Sequence, residues 1–400
     1  MTNIAVDLND FPLPRVVTYD YEYSEDLYKY LDKYATHIKS KVGEMYRDTV
    51  NTMDSNILQI KRCIASYYNG KISEAYNCIK NILQQYVKSP FIVAMIDENY
   101  AFRGSAVEKV RPKIYSGGQY DEEYGKMLEH SLSFYRARIG VEKIKGKDML
   151  HIPFNKRGVV DTQRFSISGL PCLYLSTTSF GTWLELGLPE AEYFQVSSFK
   201  IPQNLKVLNL CIQQHTINGM SSFIENDEEE NMLLSSLEIF PLIMATSYHV
   251  SEKNRKFKSE YIISQITMQV CKELNIDGIA YLSKRMPDSY AYPQAVNLAV
   301  AIPYNTKTLY WQRASEIQLT QPIRFSDFIE NIINKHDSDF IENKHEKLNY
   351  NSYVNEIYKD DDGGDIILAG TIMKYIETRH SAFDEYLLEQ EFHNFSDFCN

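Results

Sequence analysis

The chain is 400 residues long, 44% hydrophobic and 24% charged, with a formal net charge of −11. That length supports two or three domains and a sizeable core. The acidic balance argues against binding along a nucleic-acid backbone or an anionic membrane, both of which want a basic face, although a local basic pocket remains compatible with it.

No apolar run approaches the ~20 residues needed to span a bilayer. The start, Met1-Thr2-Asn3-Ile4-Ala5-Val6-Asp7, has no basic segment followed by an apolar stretch, so no secretion signal is expected. The six cysteines include no CxxC pair and the nine histidines form no HExxH. This is the pattern of reduced thiols in a cytoplasmic protein, with no metal cofactor expected.

Residues 1–117 read as a helical N-terminal region. Leu27, Leu31, Tyr34, Ile38, Val42 and Met45 recur at steps of three and four, which places one apolar stripe on a helix face. Ser24 is the expected N-cap, ahead of Glu25 and Asp26. Ile57, Ile60 and Ile64 repeat the pattern. After an Asn69-Gly70 turn, Ala75, Ile79, Ile82, Leu83 and Tyr86 repeat it again until Pro90 stops it. Gly117-Gly118 marks a boundary.

From 118 to 325 the pattern is mixed. Phe134–Ile139, Cys172–Ser176, Phe194–Ile201, Lys206–Leu210, Gly278–Leu282, Val296–Ile302 and Thr308–Gln312 read as short strands. Ser259–Leu274 reads as an amphipathic helix ending at Asn275, and the acidic run Asn226–Glu230 as an exposed loop or helix start. From 326 to 400 the chain turns polar and helical again. There Asp327–Asn331 recurs as Asp339–Asn343, too short for a repeat architecture, and Asp360–Asp365 lacks calcium-loop spacing. Strands broken irregularly by helices favour an α+β domain with helical ends.

Four residues carry candidate chemistry. Arg136 lies in Phe134-Tyr135-Arg136-Ala137-Arg138, either on a solvated strand face or as a guanidinium fork for a diphosphate. Tyr174 sits in a short apolar strand, a core position or a stacking ring. Glu185 lies between Leu184 and Leu186 in what reads as a capped helix, where an unpaired carboxylate is costly. Ser283 ends a strand and has no GxSxG elbow, so it suits a polar contact to a ligand better than a nucleophile. With no GxGxxG and no GxxxxGK[ST], a nicotinamide dinucleotide would be a substrate and not a hydride carrier.

Taken together, Phe134-Tyr135-Arg136, Gln163-Arg164-Phe165-Ser166, Gly169 through Ser176, Glu185, Gly278 through Ser283 and Asn297 through Pro303 resemble the RES domain family over roughly 130–305. The resemblance implies a fold similar to the ADP-ribosyltransferases. It also implies an activity on NAD⁺, since characterised members include toxins that consume NAD⁺ by phosphorolysis or hydrolysis and others that ADP-ribosylate a protein. By this resemblance Arg136, Glu185 and Ser283 match the residues that name the family, Tyr174 its active-site tyrosine, and Arg164 a further family position. The chain departs from compact members in its two helical ends and in the long stretch between Glu185 and Ser283.

The implied mechanism cleaves the nicotinamide–ribose bond. Glu185 faces the positive ribose carbon or holds a ribose hydroxyl, Arg136 holds the pyrophosphate with Arg164 assisting, Tyr174 stacks or orders the ribose, and Ser283 contacts the leaving amide or ribose. Water, phosphate or a protein side chain could be the acceptor. The expected partners are NAD⁺ as substrate, an antitoxin or a target protein, and the expected setting is that of a toxin or defence effector. The other readings are a protein ADP-ribosyltransferase and a non-catalytic nucleotide-binding or regulatory module.

Overall fold

The computed structural model describes residues 6–96, 134–330, 353–359, 366–374 and 378–399, apart from a few positions within these ranges. The N-terminal periodicities become α1 (Tyr23–Val42), α2 (Arg47–Tyr68) and α3 (Ile72–Leu83). Leu27, Leu31, Tyr34, Ile38 and Val42 are buried along α1, as the three-four spacing requires. Two details differ from expectation. Ser24 lies inside the first turn, which is entered from Glu22 without a side-chain cap, and Met45 lies past the helix end and is exposed.

A buried helix, Asp227–Thr246, runs against α1 and α2 and contains Pro241. Asn226 caps it by accepting from the Glu229 amide, so the acidic run is a helix start, with its carboxylates at the positive end of the dipole. Pro241 has no N–H, so it cannot bond the Leu237 carbonyl one turn earlier. The Tyr34 hydroxyl of α1 donates to that carbonyl at 2.8 Å, and the Tyr23 hydroxyl donates to Ala245 O at 2.9 Å. Both tyrosines are fully buried. The N-terminal helices are thereby fastened to the central helix by apolar packing and by bonds to its main chain.

The strands in chain order are β1 (Arg15–Val16), β2 (Val93–Met95), β3 (Phe134–Ile139), β4 (Cys172–Ser176), β5 (Phe194–Lys200), β6 (Lys206–Leu210), β7 (Tyr248–His249), β8 (Gly278–Leu282), β9 (Val296–Ala301), β10 (Gln318–Leu319), β11 (Ile323–Arg324), β12 (Tyr353–Lys359), β13 (Ile366–Lys374) and β14 (His393–Asn394). The main sheet runs β14-β10-β5-β3-β4-β9-β8-β6-β2, with β11 also paired to β5. β6 and β8 pair in parallel, and the other pairs of this sheet are antiparallel.

Strand alternation sorts side chains onto two faces. Leu208, Leu210, Ile279, Tyr281, Ala299 and Ala301 join the core built with the N-terminal helices. Leu173, Leu175, Ala280, Leu282, Leu298 and Val300 join the core on the other side. A third cluster joins Tyr135, Ala137, Phe194 and Val196 to Phe383 and Leu387 of the C-terminal helix Arg379–Leu388. This is an α+β fold in which the N-terminal helices and the sheet share one core. No described helix is long and apolar enough to cross a membrane.

Two expected elements come out differently. Thr308–Gln312 is not a strand: Trp311 is buried, its N–H donates to His151 Nε2 at 2.9 Å in place of a neighbouring strand, and a 3-10 turn Gln312–Glu316 follows. The region 326–400, expected to be helical, contains the antiparallel hairpin β12–β13, strand β14, the end of the short α-helix Phe325–Phe328, an α-helix of ten residues and a 3-10 turn Phe395–Phe398 among its described parts. Its hairpin segments are rich in β-branched and aromatic types, which favour strand. Gly117-Gly118, Asp339–Asn343 and Asp360–Asp365 lie outside the described residues.

The Tyr34–Leu237 bond yields a stability prediction. Tyr34→Phe leaves a buried carbonyl without a donor and should cost about 1–3 kcal/mol. Urea unfolding should therefore show a lower midpoint with an unchanged slope. An unchanged midpoint would mean that the proline-freed carbonyl does not need this donor.

Candidate active site

The site sits where the main sheet opens. β3 pairs with β5 over six residue pairs and β4 with β9 over five, but β3 and β4 share the single pair Tyr135–Ser176. Beyond that pair the two strands part. A cavity of about 420 Å³ occupies this region, lined on one side by Arg136, Ala137 and Arg138 and on the other by Cys172, Tyr174, Leu175 and Ser176. Arg136, Arg164, Tyr174 and Glu185, far apart in sequence, all line it.

Its electrostatics are opposite to those of the whole chain. Arg136, Arg138, Arg164, Lys258, Lys284 and Arg285 line it, and Glu185 is the one carboxylate among the described lining residues. Lys284 is neutralised by Asp288, whose carboxylate oxygens lie 2.9 and 3.1 Å from Nζ. Burial pulls the Lys284 ammonium down from its ordinary range, and the charge of Asp288 opposes that shift.

The three arginines are held differently, by main-chain carbonyls that fix them without cancelling their charge. Arg136 Nη1 donates to Tyr174 O at 2.6 Å. Arg138 donates to Asp148 O and Leu150 O, both at 3.2 Å. Arg164 donates to Thr246 O at 2.9 Å and Tyr248 O at 2.7 Å, at the negative end of the Asp227–Thr246 helix, with its guanidinium 5.1 Å from the Tyr261 ring centre.

Arg136 is the extreme case. It is 9% exposed, its Nε has no hydrogen-bond partner among the described residues, and no carboxylate pairs with it there. Burial, then the neighbouring Arg138 charge, pull it well below the ordinary arginine range. A buried cation without a counter-charge is expensive. An anion about 4 Å away gains roughly 4 kcal/mol at an effective dielectric near 20, which is the scale needed to offset that cost.

Glu185 is the last residue of the helix Ser179–Glu185. Thr178 caps its start by accepting from Gly181 N at 2.9 Å, and a side chain at 181 would collide with Ser176 Oγ, so glycine permits the close approach of helix to sheet. A carboxylate at a helix C-terminus opposes the dipole, so this position is not one that local stability would choose. Its Oε1 accepts from Ser283 Oγ and Asn297 Nδ2, both at 2.7 Å. Oε2 has no partner among the described residues and is left for the cavity.

Tyr174 has a committed hydroxyl. It donates to Ser166 Oγ at 3.1 Å and accepts from Phe165 N at 3.2 Å. Its ring is therefore what remains for a ligand. Gln163–Ser166 is a tight turn closed by its own backbone bonds, with Phe165 buried against Tyr281 and Arg164 held at the cavity. Burial pushes the Cys172 thiol up to about 12, which favours its protonated form.

Ser283 is the one candidate that does not line the cavity. It is fully buried, and its hydroxyl orients Glu185 from behind. The structure thus places it one side chain away from where a direct ligand contact requires it. Sequence reasoning missed Asn297, Lys258 and Arg285. Asn297 had a usable signal: an amide inside the apolar run Val296–Ala301 needs a buried partner, and Glu185 is that partner. Lys258 and Arg285 had none, because surface cations are common.

Pyrophosphate at low salt should raise the thermal midpoint, by linkage of about 2.7 kcal/mol at a hundredfold excess over its dissociation constant, and added salt should shrink the shift. Arg136→Met should abolish the shift while leaving the ligand-free midpoint at or above that of the parent. A shift that persists in Arg136→Met would remove Arg136 from the anion site.

No family model matches the chain. A putative toxin, YopC, of Bacillus subtilis strain 168 is 33% identical over 161 residues, covering 38% of this chain and 36% of the relative. The match thus spans well under half of that curated relative's length. Among solved structures, a chain of the M. tuberculosis MbcT–MbcA toxin–antitoxin complex is similar with a TM-score of 0.26 and 15% identity, over 48% of this chain and 82% of that one.

Proposed function

We propose that the cavity binds NAD⁺ as a substrate and cleaves its nicotinamide–ribose bond. The observation that carries this reading is the arrangement of Arg136, Arg138 and Arg164, held by neutral carbonyls around one carboxylate whose second oxygen has no partner among the described residues. A ligand suited to it bears a diphosphate for the cations and develops positive charge near Glu185. The resemblance of the motif residues to the RES family points to the same ligand.

In this mechanism the arginines hold the diphosphate and the Tyr174 ring packs on a flat part of the ligand. Nicotinamide leaves with the electrons of the C–N bond, and positive charge spreads over C1′ and the ring oxygen. Glu185 Oε2 faces that charge, with Ser283 and Asn297 fixing the carboxylate so that it need not reorganise. Water then adds to C1′ and loses a proton, giving ADP-ribose. Phosphate or a protein side chain in place of water gives the phosphorolytic or ADP-ribosylating variant of the same step.

The similarity to a putative toxin supports the further proposal that this chain is a toxin effector, and the family resemblance of its motif residues suggests an antitoxin as partner.

Incubation of purified protein with NAD⁺ should release nicotinamide, and runs with and without phosphate, or with labelled NAD⁺ in lysate, identify the acceptor. Glu185→Gln keeps the shape and removes the charge, and should lower turnover by about a hundredfold or more. A loss below about tenfold would remove Glu185 from its role. Tight binding with no turnover under any acceptor would favour a non-catalytic nucleotide-binding module.

A further inference from the structure

We infer that Asp384, on the C-terminal helix Arg379–Leu388, is a positioning residue for Glu185, so that a segment outside the motif region completes the active site. The inference rests on the proposed reaction. Asp384 is 2% exposed, and its Oδ1 accepts from the Ser179 N–H at 2.9 Å. Ser179 is the first residue of the helix that ends in Glu185. Thr178 satisfies the amide of Gly181, and Asp384 satisfies the amide of Ser179, so the start of this helix is held from two directions.

The same C-terminal helix makes further contacts with this helix and with β3. His380 Nδ1 lies 3.2 Å from Ser179 Oγ, and its ring packs against Phe180, Trp183 and Phe325. The Tyr135 hydroxyl reaches Asp384 O at 3.4 Å, one residue before Arg136 in β3. The C-terminal helix therefore touches the chain immediately beside the arginine and at the root of the helix that carries the glutamate.

The seven-residue helix acts as a short bar, about 10 Å long at roughly 1.5 Å per residue. Asp384 grips one end, where a carboxylate suits the dipole. Glu185 occupies the other, where a carboxylate opposes it. A tilt of the bar moves Glu185 relative to the Ser283 and Asn297 donors and to the bound ribose. Misplacement of a reacting group by about 1 Å can cost on the order of a hundredfold in rate.

The test uses the full chain and two readouts. Asp384→Ala should lower kcat for nicotinamide release at least tenfold with KM for NAD⁺ unchanged, whereas Asp384→Asn, which keeps the acceptor oxygen, should retain most of kcat. Independently of turnover, amide hydrogen exchange over 179–186 should quicken in Asp384→Ala and stay slow in Asp384→Asn. Ser179→Pro removes the same N–H at a helix position that tolerates proline, and should match Asp384→Ala if that variant proves hard to fold.

Equal kcat in Asp384→Ala and parent, a rise in KM alone, or unchanged exchange at 179–186 would overturn the inference. So would equal losses in the alanine and asparagine variants. If the parent turns over no NAD⁺, the exchange measurement still decides whether the clamp exists, while the substrate reading fails separately.

Discussion

An arginine buried with no counter-charge among the described residues is the feature on which the rest of this site depends. Arg136 is held by one carbonyl in a gap where two strands of the sheet have parted, and Arg138 and Arg164 are fixed in the same neutral way. Had carboxylates held these cations, the cavity would be electrically spent before any ligand arrived. Carbonyl acceptors set the direction of each guanidinium and leave its field in place, which is preorganisation for an anion. The acidity of the whole chain makes this local surplus harder to attribute to average composition.

The fold supplies that gap and then closes it from outside. Full pairing of β3 with β5 and of β4 with β9 makes two stiff half-sheets, and the single pair between them allows the split. The Asp227–Thr246 helix, fastened to the N-terminal helices through its proline-freed carbonyl, ends at Arg164. The C-terminal helix packs against β5 and against the helix that ends in Glu185. The segments at both ends of the chain are thus in contact with elements that carry site residues, and the long interval between Glu185 and Ser283 builds the helices and strands between them.

Much of this was legible in the sequence where a local rule was strong. Short apolar runs gave β3, β4, β6 and β8 their bounds, and the step of three and four gave α1 to α3. Glu185 stood out because a carboxylate between two leucines contradicts burial, and the structure resolves the contradiction with Ser283 and Asn297. What was not legible depended on partners distant in sequence. Thr308–Gln312 looked like a strand because nothing local revealed that His151 would take the Trp311 amide. Ser283 looked like a ligand contact because its position behind Glu185 is a three-dimensional fact. The strands near the C-terminus were obscured by a polar composition that reads as helix, and Asp384 had no sequence signal at all.

A structure of the Glu185→Gln variant with NAD⁺ bound tests the central claim most directly, since it reports position without waiting for chemistry. The account predicts the diphosphate within hydrogen-bond distance of the Arg136 guanidinium, about 3 Å, and the ribose C1′ of the nicotinamide side within about 4–6 Å of residue 185. A dinucleotide lying outside the gap between β3 and β4, or one whose diphosphate avoids Arg136 altogether, would contradict it.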